Sequence, residues 1–107
     1  MRLATKYFEK FANGRKTIEC RLYDEKRRQL KIGDRIEFSD AHHSDKKITI
    51  SIIALHQAVS FSALLDQFPI AQFGEDNKEQ MLAALKIFYS EADEKKFGVV
   101  GIEIKLI

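Results

Sequence analysis

The stretch GRKTIECRLYDEKRR, from Gly14 to Arg28, decides how the chain is read. With period two it is a β-strand, with Ile18, Cys20 and Leu22 on one face and Thr17, Glu19, Arg21 and Tyr23 on the other. Lys16 stands just before the strand. Same-side neighbours along a strand lie roughly 6.5–7 Å apart, so these charges interact. The strand then runs straight into Lys26, Arg27 and Arg28. Between Arg15 and Lys31 seven basic residues face three acids, a balance of +4, whereas the whole chain carries only +2. Such a local patch favours an anionic partner.

The segments on either side give the fold class. In ATKYFEKFANG, Ala4, Tyr7, Phe8 and Phe11 fall at helical spacing, which predicts an amphipathic helix over about residues 3–12, and Gly14 suits a helix end. After the strand, Asp24 can cap the charged turn EKRRQL, with Leu30 and Ile32 returning to the core. RIEFS alternates Ile36 and Phe38 inward, DAHHSD reads as a polar loop, and KKITISIIALHQA reads as a long β-branched strand. Ser60 opens a helix that Pro69 closes. Met81, Leu82, Leu85 and Phe88 mark a second helix, and Ser90 with Asp93 forms a capping box for a third. VVGIEIKLI closes the chain as a strand. Strands and helices do not alternate regularly, so the order argues against a doubly wound sheet and for a small, mainly antiparallel α+β barrel.

Composition sets outer bounds. A chain of 107 residues with 45% hydrophobic and 32% charged residues fits one ordered domain over residues 1–107. No apolar run is long enough for a membrane span, and MRLATKYFEKF lacks the apolar core of a signal peptide. The single Cys20 can form no internal disulfide, which points to a reduced, cytoplasmic setting. His42 and His43, beside Asp40 and Asp45, match no zinc spacing and read as solvated loop residues. Cys20, on the apolar strand face, reads as a small core residue and His56 as a satisfied or exposed histidine. No metal or cofactor is expected, and the oligomeric state is not encoded in any pattern of the sequence.

Gly-x-Lys-Thr-x-Glu-x-Arg (Gly14 to Arg21), Gly33-Asp34, and Phe97-Gly98-Val99-Val100-Gly101-Ile102-Glu103 together resemble the ASCH family, a branch of the PUA-like β-barrels. The resemblance runs from about Phe8 to Ile107. It implies an incomplete barrel flanked by helices, with a cleft lined by the KTIECR strand. It also implies RNA as a partner, or a nucleoside- or nucleotide-like ligand. One bacterial branch hydrolyses the acetyl amide of N4-acetylcytidine, with a lysine as base and a threonine three residues later as nucleophile. Lys16 and Arg21 match that branch, but Glu19 stands where the nucleophile would be. Thr17 is one residue away, with a different direction and depth. The branch's acidic residue falls near Gly74, with Glu75 and Asp76 in the neighbourhood.

Three roles are open to Lys16, Glu19 and Arg21. They can form an ion-pair ladder on the wet face of the strand. They can read a nucleobase edge, with Lys16 and Arg21 donating and Glu19 accepting from an exocyclic amine. Or Glu19 can act as general base on a water while Lys16 stabilises an oxyanion. In the recognition role, Phe61, Tyr89 and Phe97 are candidate stacking rings and Arg27 a backbone contact. The expected ligand-binding set is Arg15, Lys16, Thr17, Glu19, Arg21, Arg27, Tyr89 and Ser90, with Lys16 and Glu19 catalytic in the hydrolase alternative.

Overall fold

The computed structural model describes residues 1–107. In chain order the strands are β1 (Arg2–Leu3), β2 (Ile18–Leu22), β3 (Arg35–Asp40), β4 (His43–Ala58) and β5 (Val99–Leu106). The helices are α1 (Thr5–Ala12), α2 (Phe61–Leu65), α3 (Lys78–Lys86) and α4 (Glu91–Phe97), with 3-10 turns at Arg27–Gln29 and Ile70–Phe73. The five strands form one sheet in the order β1-β3-β4-β5-β2, antiparallel except for β1 beside β3. The fold is the expected α+β, PUA-like half-barrel flanked by helices.

β4 is the hinge of the curl. Its first part pairs with β3 through Ser51, and its later part pairs with β5 from Ile50 onward. The register shift between Ile52 and Ala54 leaves Ile53 as a bulge, and bulges bend and twist a strand. Curling brings the two outermost strands, β1 and β2, toward each other without pairing. The barrel therefore has an open seam.

Two apolar clusters pack on opposite faces. The inner one joins Phe8 and Phe11 of α1 to Phe38, Ile50, Ile52, Val100, Ile102 and Ile104. The outer one joins Ile18 and Cys20 to Phe61, Leu64, Leu65, Phe73, Met81, Leu85 and Val99. β5 is thus covered on both sides, which explains its unbroken apolar start. At Gly101 a Cβ would meet Leu64 at 3.0 Å and Ile18 at 3.1 Å, so this strand position admits no larger residue without repacking. Ser60, Asn77 and Ser90 cap α2, α3 and α4, and Ser90 with Asp93 completes the expected capping box.

Several expectations are corrected. Of the roles left open for Glu19 and Arg21, the ladder on a wet face is the one that does not fit: these residues pair with Ile102 and Val100, so they point into the inner side that α1 covers. The expected loop after Asp40 is only a turn at Ala41–His42. His43 already starts β4, and Asp40 itself is 1% exposed. α3 ends at Lys86, leaving Phe88 75% exposed instead of in the core, and Ile32 is exposed as well. The short β1 and the Ile70–Phe73 turn carried no periodicity long enough to read. No helix is long and apolar enough to cross a membrane.

Candidate functional site

A cavity of about 390 Å³ opens at the barrel seam. Arg2 and Leu3 of β1 form one side, and Glu19, Cys20 and Arg21 of β2 the other. Tyr7 and Lys16 close its base; Met81, Ala84, Leu85, Phe88 and Tyr89, from α3 and its exit, form an apolar wall. Ala41 and His42 of the β3–β4 turn complete the rim. The free edge of β2 projects into this space, which is why residues from both of its faces line it.

Glu19 is the electrostatic centre. It is 7% exposed, with Lys16 Nζ 3.6 Å from one carboxylate oxygen and Arg21 Nη2 donating at 3.1 Å to the other. The backbone N–H of Cys20 also donates to Glu19, at 3.2 Å. The carboxylate therefore blocks a strand edge that would otherwise expose an unpaired donor. Burying a charge is costly unless it is paired and hydrogen-bonded, and this one is both. Two cations against one carboxylate leave the cavity wall with a net positive charge.

Lys16 is fixed more tightly than its sequence position suggests. Its side chain is fully buried, and Nζ donates to the carbonyl of Phe73 at 2.5 Å. The ammonium lies 4.8 Å from the Tyr7 ring centroid and 5.2 Å from that of Phe11, a cation–π environment on two sides. The aliphatic stem rests on Gly74, where φ is +90° and a Cβ would come within 2.8 Å of the stem's Cδ. Glycine is the residue that supplies both this backbone conformation and this clearance.

Arg21 offers the one unfinished interaction. Its guanidinium pKa is raised: burial works against the charge, but the Glu19 carboxylate, and after it the Tyr89 phenol, outweigh burial. While Nη2 bonds Glu19, Nε is buried without any partner. Buried donors are nearly always satisfied, so this unpartnered donor, in a residue that lines the cavity, is a polar group that packing leaves unmatched.

The neighbouring titratable groups are held in unreactive states. Burial, reinforced by Glu75, pushes the Tyr7 phenol up, and its hydroxyl donates to Glu75 at 2.8 Å. Burial pushes the Cys20 thiol up to about 12. The Glu75 carboxyl lies below its ordinary value; burial would raise it, but Lys6 and Tyr7 outweigh that. Asp40 is held down at about 2, because hydrogen bonds from Thr5, His42 N–H and His43 prevail over burial. No cluster of three potential ligands could hold a metal ion.

Of the residues expected from the sequence, Lys16, Glu19, Arg21 and Tyr89 come together around the cavity. Arg15 is exposed and Thr17 half-buried, both outside the lining. Arg27 pairs with Asp24 at 3.3 Å beside a separate shallow hollow, and Ser90 is occupied as the α4 cap. Phe61 is core and stacks 5.3 Å from Tyr89; Phe97 borders the shallow hollow. Tyr7, Arg2 and Phe88 are among the lining residues that sequence reasoning missed, as is His42, which was expected to be a solvated loop residue and instead stands at the cavity rim. For Phe88 there was a signal: Ile87, Phe88 and Tyr89 in succession cannot all face inward at a helix end. Glu75, near the place of the acidic residue of the hydrolase branch, lies outside the cavity lining.

The ASCH domain model matches residues 1–107. Among solved structures, the archaeal hypothetical protein PH0355 is similar at 36% identity and a TM-score of 0.85, over 100% of this chain and 96% of that one. The protein PF0455 from Pyrococcus furiosus is similar at 34% identity and a TM-score of 0.75, over 100% of this chain and 94% of that one. No curated protein matches. With its sequence motifs, half-barrel and whole-chain match agreeing, the chain belongs to the ASCH domain family.

Proposed function

We propose that the seam cavity binds one nucleobase, offered by single-stranded RNA or by a free modified nucleoside. The observation that carries this is the buried, unpartnered Arg21 Nε beside the Glu19 carboxylate, in a cavity walled mainly by apolar side chains. A volume of about 390 Å³ lies at the small end of ligand pockets, suited to a nucleoside and too small for a duplex. Arg21 Nε donates to a base carbonyl, Glu19 accepts from an exocyclic amine on its remaining lone pairs, and Tyr89 offers a ring face.

Binding is favoured over amide hydrolysis because no activated nucleophile faces the cavity. Cys20 stays a thiol, Tyr7 stays a phenol engaged with Glu75, and Thr17 lies outside. Glu19 is held by Lys16, Arg21 and the Cys20 N–H, so its oxygens serve as hydrogen-bond acceptors.

Calorimetric titration with cytidine, uridine, adenosine and N4-acetylcytidine tests this. At least one should bind, and Arg21→Ala should abolish the heat. If none of them binds, the proposal fails. Release of cytidine from N4-acetylcytidine, lost in Lys16→Ala, would establish the hydrolase instead.

A further inference from the structure

The cavity mouth carries a second feature that a one-base pocket does not need. Phe88 is 75% exposed, yet it lines the cavity, and its ring centroid lies 6.3 Å from that of Tyr89 at 56°. Ile87 beside it is 76% exposed. Leaving two large apolar side chains in water at the end of a short helix gains nothing for folding. On the opposite lip stands Arg2, whose one side-chain hydrogen bond goes to the carbonyl of Ala41 at 3.4 Å. The cavity lining thus combines an exposed aromatic pair with an arginine.

We infer that the site takes its base from within a strand: the cavity holds one base, Phe88 stacks on the adjacent base, and Arg2 holds the linking phosphate. This rests on the base-binding proposal and adds the polymer to it. Stacking tolerates any base, because every base has a π-face, whereas the cavity reads one edge. A phosphate between the two bases falls over the lip, where an arginine can hold it with two donors.

The test compares two probes, free nucleosides and single-stranded RNA hexanucleotides of the same base, by fluorescence anisotropy and calorimetry. The hexanucleotide should bind at least tenfold tighter than its nucleoside. Phe88→Ala should weaken the hexanucleotide at least fivefold more than it weakens the nucleoside. Phe88→Tyr should restore the difference. Arg2→Ala should weaken the hexanucleotide more than the nucleoside and reduce the slope of the hexanucleotide's affinity against salt by about one charge. Phe88 is exposed, so its replacement leaves the core intact. Nucleoside binding with a hexanucleotide affinity indifferent to Phe88→Ala overturns this inference and leaves the pocket standing. Failure of both probes to bind overturns the two together.

Discussion

Gly74→Ala tests most sharply how the Lys16 base of the cavity is built. An added Cβ would sit 2.8 Å from Lys16 Cδ and 3.3 Å from Cγ. The stem cannot swing aside, because its ammonium is held by the Phe73 carbonyl and lies against the rings of Tyr7 and Phe11. Overpacking of this kind costs about 1–3 kcal/mol. The left-handed backbone, at φ +90°, adds about 1–2 kcal/mol for any residue with a Cβ. Gly33→Ala supplies the control: φ is +96° there, but nothing lies within 4 Å of the added atom. Both variants lose the same unfolded-state freedom, so that contribution cancels in the comparison. Urea and thermal unfolding should then place Gly74→Ala about 1–3 kcal/mol below Gly33→Ala, at least about 4 °C in melting temperature for a domain of this size. In a Lys16→Ala background the extra cost should vanish, since the two residues are in contact. Equal losses for the two glycines would refute the packing of Lys16 on Gly74.

Other consequences follow from the same geometry. Glu19→Ala leaves the buried Lys16 ammonium without its carboxylate and should cost about 3–5 kcal/mol in denaturant unfolding, whereas Glu19→Gln, which keeps one carbonyl acceptor for either Cys20 N–H or Arg21, should cost less. Asp40 has its folded pKa at about 2, below the ordinary 3.8, so its stabilisation is fully present above about pH 4–5 and is lost as pH falls through 2. Melting temperature against pH should therefore drop on that acid limb, and Asp40→Asn should flatten it; an unchanged limb would remove Asp40 as its cause. Ser90→Ala removes the α4 capping box and should cost about 0.5–2 kcal/mol while leaving ligand affinity unchanged, because the hydroxyl is spent on Asp93 N–H.

Much of the site was legible because strand alternation is a strict rule. Period two put Glu19 and Arg21 on one side, and pairing with Ile102 and Val100 keeps them there. Alternation cannot say whether that side meets water or a helix, and only the fold shows that Glu19 on it is buried. Asp40 illustrates the same limit: a carboxylate in a string of polar residues reads as loop, and only the contact with Thr5, 35 positions away, explains its burial. Lys16 was found as a cation but not as a buried one, since Phe73, 57 positions on, supplies its acceptor. Arg2 and Tyr7 were missed for a related reason. The curl that brings β1 opposite β2 comes from the Ile53 bulge in a distant strand.

The most direct measurement follows the Arg21 Nε–H signal in a ¹H–¹⁵N NMR titration with the nucleosides above. A base seated in the seam should give that buried donor a partner, moving its proton downfield and slowing its exchange. Cys20, Ala41, His42 and Tyr89 amides should shift along with it. An unmoved Arg21 signal, with shifts gathered instead around Lys26 to Gln29, would contradict the seam as the binding site.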